Sequence, residues 1–197
     1  MILTEQQITS INAGQNYYNG AALADRFAYD FFKKDVSRNG NIILFVAPMK
    51  VEADFMVDKE DLVSKDFIYS ERAVNVLIEI PDIGLYAGVC FQRLFNTAIA
   101  NILTNNFPGQ YSYKMKGDDI LVDVPEKRKA SVSIAKWVNG AVLIHTGINI
   151  HAGKEAPDFA HSTGLTENET LRFMTCIETA FEKMTQDIFL ATTKILK

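Results

Sequence analysis

Cysteine is nearly absent from this chain, with Cys90 and Cys176 the two in 197 residues. Each lies on an apolar helix-like stretch, "AGVCFQRLF" and "RFMTCIETAF", rather than in electropositive surroundings. That argues against a disulfide scaffold, a cysteine-zinc cluster and a cysteine nucleophile, and predicts buried, inert thiols. Positive charge is in deficit too: 20 Lys and Arg against 24 Asp and Glu leave a formal net charge of −4. Such a balance argues against a general nucleic-acid or anionic-membrane binder, which needs a positive field. Long hydrophobic runs are missing, since "NIILFVAPM" and "AVLIHTGINI" fall well short of the roughly 20 residues of a membrane span. The opening "MILTEQQITS" carries no signal-peptide pattern, so a cytoplasmic protein is expected. Repeats, low-complexity tracts and Ser/Pro-rich linkers are absent as well, which predicts one domain over residues 1–197.

Histidine is scarce, with 3 in the chain. His145 and His151 lie on one strand-like stretch, where six residues span about 20 Å, too far to share an ion. His161 stands in a loop without a ligand pattern, so neither a zinc nor a haem site is expected.

What the chain does have is a globular composition, 48% hydrophobic with 13 Phe and 7 Tyr. "GAALADRFAYDFF" spaces Leu23, Phe27 and Phe31 by four and predicts a helix. "NIILFVA" and "KVEADFM" flank Pro48 as two strands, or one broken by a bend. After the polar "VDKEDLVSKDFIYSERA", "VNVLIEI" reads as a strand ended by Pro81. From Tyr86 to about Leu103, apolar residues at three and four (Phe91, Leu94, Phe95, Ala98, Ile99, Ile102, Leu103) predict a long amphipathic helix. "YSYKM", "DDILVDV" and "KASVSIA" are strands, and Asn139-Gly140 is a hairpin turn into "AVLIHTGINI". Thr166 and Glu169 form a capping box that opens a C-terminal helix over about 167–196, striped by Leu171, Met174, Ile177, Phe181, Met184 and Ile188. The order predicts an α+β fold, a mixed or antiparallel sheet backed by helices.

Alternation along the strand after Arg128 puts Lys129, Ser131 and Ser133 on one face. On the next strand His145, Gly147 and Asn149 share a face, with a glycine between two polar side chains where a ligand can approach the backbone. A strict two-residue turn sets Ser133 opposite Thr146, whereas a one-residue bulge sets it beside His145; the sequence leaves both open. "VDKED" offers Asp58, Glu60 and Asp61 as an acidic metal or substrate-amine site, or as a solvated turn.

"GDDILV", "RKASVSIA" and "LIHTGINI", in that order, resemble the core of the biotin and lipoate protein-ligase superfamily. "YYNGAALADRFAY", "FMVDKEDL" and "VCFQRLFNTAIANIL" resemble segments of domain-of-unknown-function family 366, a single-domain branch of it, and the likeness spans most of residues 17 to 165. The resemblance implies a class II aminoacyl-tRNA synthetase-like sheet with helices on one side, and ATP-dependent activation of a small carboxylic acid to an acyl-adenylate, or acyl transfer. It places Lys129 at the catalytic lysine, which binds carboxylate and α-phosphate. It places Asp119 where Mg²⁺ would be contacted, and Asp118 where the motif has asparagine. A nucleotide and a small-molecule carboxylate are the implied ligands, with Arg128, Ser131, Ser133, His145, Gly147 and Asn149 as further binding candidates. The glycine-rich substrate loop of active biotin and lipoate ligases is missing, so that specificity is not carried over. The competing readings are a non-catalytic small-molecule or nucleotide-binding module that kept the fold, and an assembly subunit whose aromatic-rich helices pair into a homodimer.

Overall fold

The computed structural model describes residues 1–59, 63, 67–107, 111–124, 126 and 128–195. Its centre is a four-stranded sheet in the order β1-β2-β7-β6, built from β1 (Asn41–Val51), β2 (Ile68–Pro81), β6 (Ser131–Val138) and β7 (Ala141–His151). Every neighbouring pair in it is antiparallel. A three-stranded antiparallel sheet, ordered β3-β4-β5, comprises β3 (Tyr113–Lys116), β4 (Asp119–Val122) and β5 (Arg128–Lys129).

Both faces of the large sheet are buried, which explains why its strands read as unbroken apolar runs despite antiparallel pairing. Alternate residues divide between two cores. Ile42, Leu44, Val76, Ile78 and Ile144 join the residues of α3 (Leu85–Asn106) and α4 (Glu167–Ile195), including Phe95, Ile99, Phe173 and Phe181. Ile43, Phe45, Met49, Leu77 and Leu143 instead meet an N-terminal layer that contains α1 (Glu5–Ile11) and α2 (Ala28–Phe32) and supplies Ile8, Tyr18, Leu23 and Phe27. The long helices therefore occupy one side, and short helices and turns cover the other. α3 lies close on β7 because Gly88 has no Cβ; one placed there would come within 2.4 Å of Val142.

Several elements depart from the sequence expectations. Residues 20–32 are not one helix: a 3-10 turn at Ala21–Leu23 precedes the short α2. Glu79 of β2 causes the restart. Its carboxylate, 1% exposed, accepts the Phe27 and Ala28 N–H groups at 2.8 Å each and the Arg26 Nε–H at 2.8 Å. A helix N-terminus is thus capped from another element. Strand β1 runs through Pro48, with a register shift between Ala47 and Met49 accommodating the missing donor. β2 begins at Ile68, inside the stretch read as polar turn.

The helix stripes are rotated slightly from those expected. Leu94 and Leu171 are exposed, as is Ile188, and the buried face of α4 runs through Phe173, Met174, Ile177, Phe181 and Thr185. The α4 stop expected at residue 196 falls outside the described residues. Cys90 is exposed and Cys176 intermediate, correcting the expectation that both thiols are buried. The capping box at Thr166 is present, with the Thr166 N–H donating to Glu169 at 2.9 Å.

Glu79→Ala leaves two α2 N–H groups and the Arg26 guanidinium without their shared acceptor. The variant is expected to lose about 3 kcal/mol in urea unfolding. A loss below about 1 kcal/mol would show that water replaces the cap.

Candidate ligand site

The strand from Arg128 to Val138 serves both sheets. Residues 128–129 pair with β4 and residues 131–138 with β7. Ala130 is the changeover: its N–H donates to the Ile120 carbonyl at 2.8 Å, and its own carbonyl accepts the Asn149 N–H at 2.9 Å. Lys129, one residue before it, is clamped by its backbone to a loop. Its N–H donates to the Phe159 carbonyl at 2.7 Å and its carbonyl accepts the His161 N–H at 2.8 Å. The ammonium of Lys129 reaches Asp119 Oδ2 at 2.9 Å and stands 5.5 Å from the Phe159 ring centroid.

This pair borders a cavity of about 250 Å³, whose lining includes Tyr18, Leu23, Met49, Val132, Ile134 and Phe159 on its apolar part. The volume is below the roughly 300–1,000 Å³ typical of drug-sized sites, so it suits a small ligand. Its polar part includes Lys129, Asp118, Asp119, Asp58, His145 and Asn149. Burial pushes the Asp119 carboxyl above its ordinary value, while the bond and charge of Lys129 pull it back and Asp118 adds to the rise. Asp118 itself lies 3.7 Å from Arg93 Nη1.

The hairpin turn resolves the register. Asn139 and Gly140 both have positive φ, 46° and 82°, the two-residue hairpin geometry. Ser133 therefore pairs with Thr146, and Ile134 with His145. Directly paired residues share a face, so the Ser131/Ser133 set and the His145/Gly147/Asn149 set point to opposite faces of the sheet.

The serine hydroxyls are engaged within the protein. Ser131 Oγ accepts the Ile120 N–H at 2.9 Å, and Ser133 Oγ accepts from Gln92 Nε2 at 2.8 Å and lies 2.8 Å from Thr146 Oγ1. Thr146 donates to Asn96 Oδ1 at 2.9 Å, and Asn96 Nδ2 donates to the Asp118 carbonyl at 3.2 Å. This buried chain fastens the turn carrying Asp118 and Asp119 to α3. Sequence reading passed over Gln92 and Asn96; the available signal was two polar residues four apart on the buried face of an amphipathic helix.

His145 is buried and stacks on Tyr18 with ring centroids 3.7 Å apart. Asn75 Nδ2 points at the Ala47 and Ala73 carbonyls, which leaves its Oδ1 to accept the His145 Nε2–H at 3.0 Å. The imidazole is neutral, with burial pushing it down to about 3, so Nδ1 is an acceptor. The space beside Gly147 is filled by Met49, whose Sδ would stand 2.7 Å from an added Cβ; the glycine admits a core side chain there. Asn149 lines the cavity, is 4% exposed, and its Oδ1 has no hydrogen-bond partner. Arg128 is exposed and pairs with Glu126 at 3.2 Å, away from the cavity lining. Glu60 and Asp61 lie outside the described residues. His151 pairs with Glu71 at 3.2 Å. No described helix is long and apolar enough to cross a membrane.

Comparison with known proteins adds to this geometry. The sequence profile of a family described as a domain of unknown function (DUF366) matches residues 8–196. A protein of unknown function from Pyrococcus horikoshi is similar in structure, with a TM-score of 0.75, 24% identity, and coverage of 95% of this chain and 94% of its own. Biotin protein ligase from Aquifex aeolicus in complex with biotin and ATP is similar in fold at a TM-score of 0.50 and 13% identity, covering 82% of this chain and 68% of its own. No curated protein matches the sequence at a significant level.

Two titrations follow from the site. The unfolded His145 imidazole titrates near 6.5 and the folded one near 3. The unfolded state therefore binds the extra proton between those values, and stability falls as pH drops below 6.5. Urea unfolding is expected to show about 2 kcal/mol less stability from this group at pH 5 than at pH 7, and His145→Phe to flatten that part of the profile; an unchanged slope would show the ring is hydrated. For Asp119, whose folded pKa is raised, ionisation costs stability as pH rises from its ordinary pKa through its folded one. Lys129→Met removes the opposing cation, and the carboxyl midpoint read by ¹³C NMR is expected to move further up; a static midpoint would show the pair is not coupled.

Proposed function

We propose that this chain, which belongs to the DUF366 family, binds a small carboxylic acid in the cavity beside Lys129, with ATP at the cavity's open border, and converts the acid to an acyl-adenylate. The observation that carries the reading is the placement of Lys129. A lysine is fixed through its backbone at the changeover between two sheets, with its ammonium at the border of a cavity lined by apolar and polar side chains alike. The likeness of fold to a biotin protein ligase solved with biotin and ATP supports it.

In the proposed step a carboxylate oxygen attacks the α-phosphorus, the bond from that phosphorus to the bridging oxygen of pyrophosphate breaks, and pyrophosphate leaves. The acid is already ionised, so no general base is required. Negative charge gathers on the α-phosphoryl oxygens, where a preorganised ammonium stabilises the transition state more than the ground state. Lys129 supplies that charge, and Asp119 holds its side chain in place at 2.9 Å. The apolar lining receives the body of the acid, and its exclusion of water strengthens the electrostatics.

The donor set at the border fits Mg²⁺, which takes oxygen ligands from one or two carboxylates together with phosphates. Asp119 and Asp118 would hold it, and it would supply charge neutralisation for the triphosphate.

A second reading, binding without turnover, draws on the engagement of Ser131 and Ser133. Their hydroxyls are bonded to Ile120 and to the Gln92/Thr146 pair, so they are not poised to grip a nucleotide.

Pyrophosphate release from ATP and Mg²⁺ over a panel of small carboxylic acids distinguishes the two. Acid-dependent release is expected, falling at least about 100-fold in Lys129→Ala with the far-UV circular dichroism unchanged. Release equal to the no-acid blank across the panel, from folded protein, sinks the adenylation reading. A thermal shift with those acids or with ATP would then support binding without turnover.

A further inference from the structure

Helix α4 outlasts the body it packs on. Its buried face ends at Thr185, and residues 186–195 beyond it are exposed at every position. A solvated helix end is ordinarily polar, yet this one carries Ile188 at 40% exposure, Phe189 at 48% and Ile195 at 81%. The isoleucines fall on one stripe. Five turns of helix take about 18 residues, so a residue shares its angular position with the one that far before it. Ile188 therefore continues Thr170, Ala191 continues Phe173, Thr192 continues Met174 and Ile195 continues Ile177, and those four earlier residues are at most 1% exposed. The face that joins the core higher up the helix is thus bare at its end. Its polar member can be covered without stranding a donor, because Thr192 Oγ1 already donates to the Phe189 carbonyl at 2.8 Å. Asp187 and Lys194 stand on one flank of this stripe, about 10 Å apart along the axis. Neither has an ion-pair partner among the described residues.

We propose that this stripe is the contact surface of a homodimer, in which the ends of two α4 helices pack antiparallel about a two-fold axis level with residues 190 and 191. Phe181, Met184, Ile188, Ala191 and Ile195 recur at alternate spacings of three and four, the seam of a coiled coil. Charge selects both the partner and the direction. Antiparallel packing lays like flank against like flank, so Asp187 of each copy comes level with the partner's Lys194 and the dimer gains two ion pairs. Parallel packing would lay that flank against the opposite one, which carries Phe189 and Thr193, and would leave both charges unmatched. In the antiparallel pair the two Phe189 rings share the other flank instead. Ala191, small and beside the axis, lets the helices approach closely at their crossing. The bare end spans about 15 Å, so the two bodies stay at opposite ends of the pair and the tip of each helix reaches the foot of the other. None of these end residues lines the cavity beside Lys129, so the dimer is independent of the ligand reading. A contact this short buries less than the roughly 1,600 Å² of a standard interface, so the dimer is a weak one, half dissociated near about 10 µM.

The test is sedimentation velocity of the full chain from about 1 to about 300 µM, comparing wild type with Asp187→Lys, Lys194→Asp, the double exchange and Ala191→Glu. Wild type is expected to pass from monomer to dimer within that range. Each single exchange sets like charges opposite one another twice per dimer and is expected to raise the dissociation constant about tenfold. The double exchange, which restores both ion pairs with their signs reversed, is expected to return it to within about threefold of wild type. An equimolar mixture of the two single variants is expected to associate at concentrations where neither does alone, because each copy then meets only opposite charges. Ala191→Glu, which puts a large charged side chain beside the axis, is expected to abolish the dimer. All of these positions are exposed, so far-UV circular dichroism and the thermal midpoint of the monomer are expected to match wild type, which checks that each variant is folded. A wild type that stays monomeric at the highest concentration overturns the inference. So does a dimer that both single exchanges leave unweakened, a double exchange no better than the singles, or a mixture that associates no more than its components.

Discussion

The two hydrogen bonds at Ala130 join the sheets and set where everything around the cavity can be. One ties this residue to β4 through Ile120, the other to β7 through Asn149. With both made, a single strand leaves the small sheet and enters the large one without losing its backbone pairing. Unpaired backbone groups in such a buried bend would each cost on the order of 1–3 kcal/mol. The residue before the bend is Lys129 and the side chain opposite the bend is Asn149. A cation and a buried amide are thereby brought to the same border from segments about twenty residues apart in the chain.

Around this junction the protein separates two kinds of interaction. Apolar burial on both faces of the large sheet supplies the bulk driving force, at roughly 25 cal/mol per Å² of apolar area. The polar chain from Gln92 through Ser133, Thr146 and Asn96 to the Asp118 carbonyl gives little net free energy, since it replaces bonds to water. What it supplies is position. An acidic turn lying against a helix by apolar contact alone would have several nearly equal placements, whereas a directional chain admits one. Gly88, one turn before Gln92 on α3, contributes by letting the helix approach β7 closely.

Much of this was legible in the order of the residues, and the parts that were not have identifiable causes. Asn139 followed by Gly140 marked the hairpin, and the period-two alternation divided its two strands into faces. Alternation cannot say which face of one strand matches which face of the next until the turn length is fixed, so Ser133 could not be separated from His145 in advance. The helix at residues 20–32 failed because its periodicity was genuine in Leu23 and Phe27 but its start was imposed by Glu79, more than fifty residues away. Glu79 was visible as a charge inside the apolar run "VNVLIEI", a signal of a buried partner whose identity depends on the tertiary fold. Leu94 and Leu171 fall on the expected buried stripes yet are exposed, because hydrophobicity does not by itself fix the phase of a helix against its sheet. The Lys129 and Asp119 contact was not legible: the motifs put both residues at the ligand site, and it is the pairing of β4 with β5, with Leu121 opposite Lys129, that brings the two side chains together.

Because Lys129 and Asp119 both belong to the small sheet, while His145 and Asn149 belong to the large one, the cavity is bounded by two bodies that share a strand. Any tilt of one sheet against the other would turn about Ala130 and carry the ion pair as a unit. Its 2.9 Å contact would persist while the distance across the cavity changed. Width and charge placement are thus mechanically decoupled: the span between the walls can change without loosening the Lys129–Asp119 pair at their border.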